Sequence, residues 1–222
     1  MGGRPRLGGG RLVSGGARGR REELLNALTH GVGVAVAAVA AAILIVIAAL
    51  RGDAWEIVGV SVFGATLIVL YVASTLYHSA RSPAARARLK VFDHAAIYFL
   101  IAGTYTPFTI GALRGGWGWS LFGVIWGLAV AGAVFKVFAA GRFRLVSTVF
   151  YVAMGWLVLI AVGPLLRNLE PVTLGWLLAG GLAYTAGTPF YHAGRLRYSH
   201  AIWHGFVLAG SVCHAVAVGV QI

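Results

Sequence analysis

The amino-acid sequence predicts an all-α membrane protein, a bundle of seven transmembrane helices with its N-terminus in the cytoplasm and its C-terminus outside. Three observations carry that prediction. Of the 222 residues, 59% are hydrophobic and only 11% are charged. Seven apolar runs each reach bilayer-spanning length, and the basic residues gather between alternate runs.

A water-soluble domain of this size must present more polar surface than this composition supplies, and the mean hydropathy of +0.83 points the same way. Glycine is abundant, at 32 residues, and small residues inside membrane helices favour close approach of backbones. The net charge of +12 would suit nucleic acid, but the basic residues form no amphipathic or aromatic-interleaved patch, so no nucleic-acid partner is expected. The single cysteine, Cys213, rules out an internal disulfide and a thiolate-pair metal site. Any metal must therefore take nitrogen and oxygen ligands.

Residues 1–21 are rich in Gly and Arg, without the apolar core of a signal peptide, and read as a disordered basic tail. Residues 22–222 form the transmembrane domain. Its apolar runs fall at 27–50, 56–78, 94–113, 117–137, 145–166, 172–190 and 200–220, each near the ~20 residues a spanning helix needs. Fifteen of the 18 Lys and Arg residues lie in the tail and in the loops after the second, fourth and sixth runs. The opposite loops hold only Arg51, Arg114 and Arg167, together with Asp53, Glu56 and Glu170. Because excess Lys and Arg mark cytoplasmic loops, the expected protein is multi-pass in the plasma (cytoplasmic) membrane, and lipid is its surroundings. Pro107 and Pro189 are placed to kink the third and sixth helices. Trp55, Trp117 and Trp119 fall near external ends, as interfacial anchors do.

Ionisable side chains within spans cost about 2.5 to 3.5 kcal/mol each, so they mark function. Here they gather at the cytoplasmic ends. His78 closes the second helix, Asp93 opens the third, His200 and His204 open the seventh, and His30 lies in the first turns of the first. His200 and His204 are four residues apart and share a helix face, a spacing that lets both reach one ion. His78 supplies a third imidazole. Three histidines leave the fourth tetrahedral position of Zn2+ to water, the open pattern of catalytic zinc, and zinc lowers the pKa of that water to about 7. Asp93 is then the candidate proton acceptor. Ser74, one turn before His78, is the candidate hydrogen-bond donor to Asp93, the water or a reacting carbonyl. Glu23, Asn26 and His30 share a face of the first helix and read as supporting or helix-locking groups, with Glu22 as an alternative register. His94, His192 and His214 read as structural. His94 points about 100° away from Asp93 around its helix, His192 lies near a loop, and His214 sits deeper in its helix.

Three blocks bear a further resemblance. Glu23-Leu24-Leu25-Asn26 continuing to His30, Ser74-Thr75-Leu76-Tyr77-His78 followed by Asp93, and Ser199-His200-Ala201-Ile202-Trp203-His204 together resemble the hemolysin III branch of the progestin and adipoQ receptor family, over the chain from Glu22 to His214. The resemblance implies a seven-helix fold with a cytoplasmic N-terminus. In the adiponectin-receptor branch it implies zinc held by three histidines, with ceramide hydrolysis proposed. The matching positions here are His78, His200 and His204 as ligands, Asp93 as the aspartate that meets zinc through water, and Ser74 as the serine of its block.

The expected function is a zinc-dependent hydrolase of a lipid amide or ester, ceramidase-like in chemistry. Two alternatives stand beside it: a hemolysin III-type cytolytic or pore-forming protein with structural zinc, and a lipid-responsive receptor or sensor. A pore needs polar side chains through the membrane, and here few lie beyond the cytoplasmic half. Bis-histidine haem needs imidazoles on opposite faces of the macrocycle, which His200 and His204 on one helix face do not provide.

Overall fold

The computed structural model describes residues 10–139 and 142–222, with side chains from residue 19 onward. The described residues form helices α1 (Gly10–Arg51), α2 (Ala54–Ser79), α3 (Pro83–Ile110), α4 (Gly116–Phe138), α5 (Arg144–Trp156), α6 (Val162–Asn168), α7 (Pro171–His192) and α8 (Ser199–Gln221). A 3-10 segment, Leu157–Ala161, joins α5 to α6, so the eight helices make seven rods. No strand occurs among the described residues.

Local chemistry explains several boundaries. Asp53 caps α2, its Oδ1 accepting from the amides of Trp55 (2.8 Å) and Glu56 (3.0 Å), while Oε2 of Glu56 accepts from the Asp53 amide (2.8 Å). Arg114 donates to Oδ2 of Asp53 at 2.9 Å, tying the α1–α2 turn to the α3–α4 turn. Ser82 and Pro83 open α3 as N-cap and first helical residue. That helix therefore starts well before the apolar run at 94 expected from hydropathy. In the same way α1 reaches back to Gly10, ahead of the run at 27 and into the stretch read as a tail; residues 1–9 of that stretch lie outside the described residues. The fifth expected helix, 145–166, is interrupted. Its 3-10 segment is held from α3, where the Tyr105 hydroxyl accepts from the Val158 amide (2.9 Å) and donates to the carbonyl of Met154 (2.8 Å), with that of Gly155 at 3.0 Å.

Five rods are long and apolar enough to cross a bilayer: α1, α2, α4, the α5–α6 rod and α8. α3 and α7 have the length but a lower hydropathy, because they carry more polar residues, several of them turned inward. Thr104, Thr106 and Thr109 are buried in α3 and bond to carbonyls one turn earlier. Thr185 of α7 bonds Gly181 in the same manner. The outward faces are apolar instead, with Leu28, Val32, Val39, Ile43, Val46 and Leu50 of α1 all exposed. Water would disfavour such a continuous surface, whereas hydrocarbon matches it.

Neighbours in sequence pack side by side from α1 to α4, α7 pairs with α8, and α8 returns against α1. Glycines allow the closest of these approaches: a Cβ on Gly132 of α4 would strike the Tyr98 ring of α3. The α5–α6 rod touches α3 and α7 more sparsely. A cavity of about 310 Å³ lies inside the bundle there, and one end of it is bounded by His30, Ser74, Asp93, His200 and His204.

Candidate metal centre

Four helices bring the site together. α2 ends one residue past His78, so Ser74 and His78 occupy its last two turns, both buried. α8 starts at Ser199, after Tyr198 turns the chain through a left-handed conformation (φ 58°). His200 and His204 consequently lie on its first two turns. α3 contributes Asp93, and α1 contributes Glu23, Asn26 and His30.

The imidazole rings of His78, His200 and His204 converge, with centroids 4.6 to 5.1 Å apart. One nitrogen of each lies within 4.8 Å of the other two. Hydrogen bonds decide which nitrogen is free. Nδ1 of His78 lies 2.8 Å from Oε2 of Glu23, an acceptor, so Nδ1 carries the proton and Nε2 keeps its lone pair. That Nε2 is buried and has no partner among the described residues. Nδ1 of His204 faces the carbonyl of Asn26 at 3.2 Å and the hydroxyl of Thr29 at 3.1 Å. Because the carbonyl can only accept, Nδ1 is again the donor. Polar partners of this kind set the tautomer and ring orientation of metal-binding histidines. The donor set therefore suits a divalent cation of the borderline type, and the orphaned Nε2 of His78 is what such an ion would satisfy.

The remaining predicted residues arrange around this cluster. Asp93 is buried and lines the cavity, outside the three-nitrogen group. The Ser74 hydroxyl is buried and unpartnered among the described residues. Glu23 does more than lock helices, since it bridges His78 to Nη2 of Arg86 at 2.6 Å. Glu22 makes no such contact. His30 stacks on His204 with centroids 3.5 Å apart and planes at 12°.

The other histidines lie elsewhere. Nε2 of His192 is 3.0 Å from Oγ1 of Thr148, Nε2 of His214 donates to the Leu177 carbonyl at 3.2 Å, and Nε2 of His94 stands 3.5 Å from the Tyr191 hydroxyl. His94 and His214 nonetheless line the cavity. Sequence reasoning missed Thr29 and Arg86. Arg86 had entered only the charge count, yet its guanidinium also sits over the Tyr77 ring at 4.7 Å. The one signal for Thr29 was its place on the face of α1 that carries Asn26 and His30.

Fold and site thus define an all-helical membrane protein with a three-histidine cluster at one end. The chain belongs to the family described as Haemolysin-III related, which matches residues 18–215. It is 47% identical over 191 residues to the "Hemolysin-3 homolog" of Bacillus subtilis (strain 168), covering 86% of this chain and 90% of that protein. It is 46% identical over 191 residues to "Hemolysin-3" of Bacillus cereus, covering 86% and 87%. A more distant relation, 28% over 207 residues, joins it to the human "Monocyte to macrophage differentiation factor", covering 89% and 83%.

Proposed function

We propose that the protein is a zinc-dependent hydrolase of a lipid amide or ester, with seven spans, a cytoplasmic N-terminus and the histidine cluster near the cytoplasmic face of the plasma membrane. The observation that carries this reading is the placement of three convergent imidazoles beside a buried carboxylate at the end of an apolar cavity. The orientation rests on the one-sided charge count, since Arg86, Lys90, Arg144 and Arg197 share the end that holds the cluster.

His78, His200 and His204 would hold the ion. When bound there, zinc polarises a carbonyl and acidifies water at neutral pH. Asp93 takes the proton from the attacking water and returns it to the leaving nitrogen or oxygen, so that water and the lipid give a carboxylic acid and an amine or alcohol. Ser74 donates its hydroxyl hydrogen to the carbonyl oxygen. Glu23 and Arg86 fix the ring of His78. The apolar walls of the cavity suit a hydrocarbon chain and keep bulk water away from the reacting group.

The test is hydrolysis of a panel of lipid amides and esters by purified protein with and without chelator. Chelator-sensitive, zinc-restored turnover is expected. Absence of turnover at full zinc occupancy would overturn the enzymatic reading. A second reading, cytolysis with structural zinc, has the names of the two Bacillus relatives in its favour. Liposome leakage that survives His78→Ala would support it.

A further inference from the structure

Most polar side chains buried in this bundle have a protein partner. The threonines of α3 bond back along their own helix, and the hydroxyls of Tyr71 and Tyr184 meet at Ser211 (2.7 and 2.8 Å). His30 is different. Its residue is 3% exposed, yet neither Nδ1 nor Nε2 has a hydrogen-bond partner among the described residues. Packing holds the ring instead, with His204 flat against it and Tyr71 edge-on at 5.0 Å.

The His30 nitrogens do not belong to the metal cluster. The convergent group contains His78, His200 and His204. Two nearly parallel rings 3.5 Å apart direct their in-plane lone pairs side by side, so His30 and His204 do not aim at a common point. A neutral imidazole nevertheless offers one N–H donor and one lone pair, and burial without partners is unfavourable for both. His30 lines the cavity together with Ser74, whose buried hydroxyl makes no close hydrogen bond among the described residues but has the Asp93 carboxyl as a neighbour. The rest of that cavity is walled largely by leucine, isoleucine, valine and aromatic residues. Two such groups therefore line one largely apolar chamber. A molecule that fills it must be mostly hydrocarbon and must present a polar group to His30.

We propose that His30 is a specificity-determining residue that hydrogen-bonds a hydroxyl group on the head of the lipid, while Ser74 meets the acyl carbonyl. The inference rests on the lipid-hydrolase reading for the kind of ligand, but it concerns recognition and is measured without turnover.

The experiment uses zinc-loaded full-length protein in detergent and two probes, N-palmitoylethanolamine and N-ethylpalmitamide, which differ by one hydroxyl. Each is scored by its displacement of bound cis-parinaric acid. The wild type is expected to favour the hydroxylated amide about tenfold, the scale of one hydrogen bond. His30→Phe keeps an aromatic ring for the stack and removes both nitrogens. It should abolish the preference, with affinity for N-ethylpalmitamide and zinc content unchanged. His30→Gln, which retains a donor, should recover part of it. Should His30→Phe fail to fold, His30→Leu carries the same expectation. A wild type without preference, or a His30→Phe protein that keeps it, overturns the proposal. So does loss of zinc from His30→Phe to the extent seen when His204 is removed. Persistence of the preference with no hydrolysis of either probe would sink the enzymatic reading and leave the role of His30 standing.

Discussion

The Nδ1–H of His78 donates to Oε2 of Glu23 over 2.8 Å, and the second oxygen of that carboxylate is held by Arg86. The carboxylate joins α1 to the end of α2 through His78 and to the start of α3 through Arg86. It also fixes which nitrogen of His78 faces the other two imidazoles.

Glu23→Ala should therefore weaken metal binding without removing a ligand. A loss of about 10- to 100-fold in affinity is expected from removing such an oriented partner. Competition against a chromophoric chelator measures it, and unchanged affinity would mean that the His78 ring is oriented by packing alone.

Asp93→Asn should separate binding from chemistry. Asp93 lies outside the convergent nitrogen group, so zinc content should stay at the wild-type level. Turnover should fall by about 10²- to 10⁴-fold, the usual contribution of a positioned base. Loss of metal in this variant would make Asp93 a ligand rather than a proton acceptor.

Packing of α3 on α4 gives a contrast between glycines on one helix. A Cβ on Gly132 would collide with Tyr98, whereas one on Gly127 meets nothing within 4 Å. Gly132→Ala should destabilise by about 1–3 kcal/mol, the range of an overpacked contact. Gly127→Ala should be close to neutral. Thermal or denaturant unfolding in detergent distinguishes the two, and equal effects would contradict the packing described.

At the opposite end of the bundle, Asp53 caps α2 outside the spans. Hydrogen bonding from the Glu56 amide, and then from Arg114, lowers its carboxyl from the usual 3.8. A lowered folded-state pKa means the cap contributes above pH 3.8, and the contribution fades as pH falls through the lower folded value. Asp53→Asn should consequently melt a few degrees below wild type near neutral pH, with the gap closing in strong acid. A gap that does not depend on pH would assign the effect to shape instead of charge.

Much of this architecture can be read from the sequence, because apolar runs and turn residues act locally. His200 and His204 are four apart on one helix, and that spacing alone brings their rings to 4.6 Å. Ser82-Pro83 marks the start of α3 as plainly, although hydropathy directs attention to the later apolar run. The 3-10 break at Leu157–Ala161 is another matter. Pro164, which has no amide hydrogen to give the Ile160 carbonyl, marks that stretch locally, but the Tyr105 hydroxyl that holds it comes from a different helix, a long-range contact that no local pattern announces. The same holds at the centre. Glu23, Asn26 and His30 share a face of α1, but only the packed bundle separates Glu23, which bonds His78, from His30, which stacks on His204 and has no hydrogen-bond partner among the described residues.

Elemental analysis of purified protein tests the metal centre most directly. One equivalent of zinc per chain is expected in the wild type, with loss of that zinc from a folded His200→Ala/His204→Ala variant. A wild type that stays metal-free after purification from zinc-replete cells, or a double variant that keeps its zinc, would contradict the assignment of His78, His200 and His204 as a metal site.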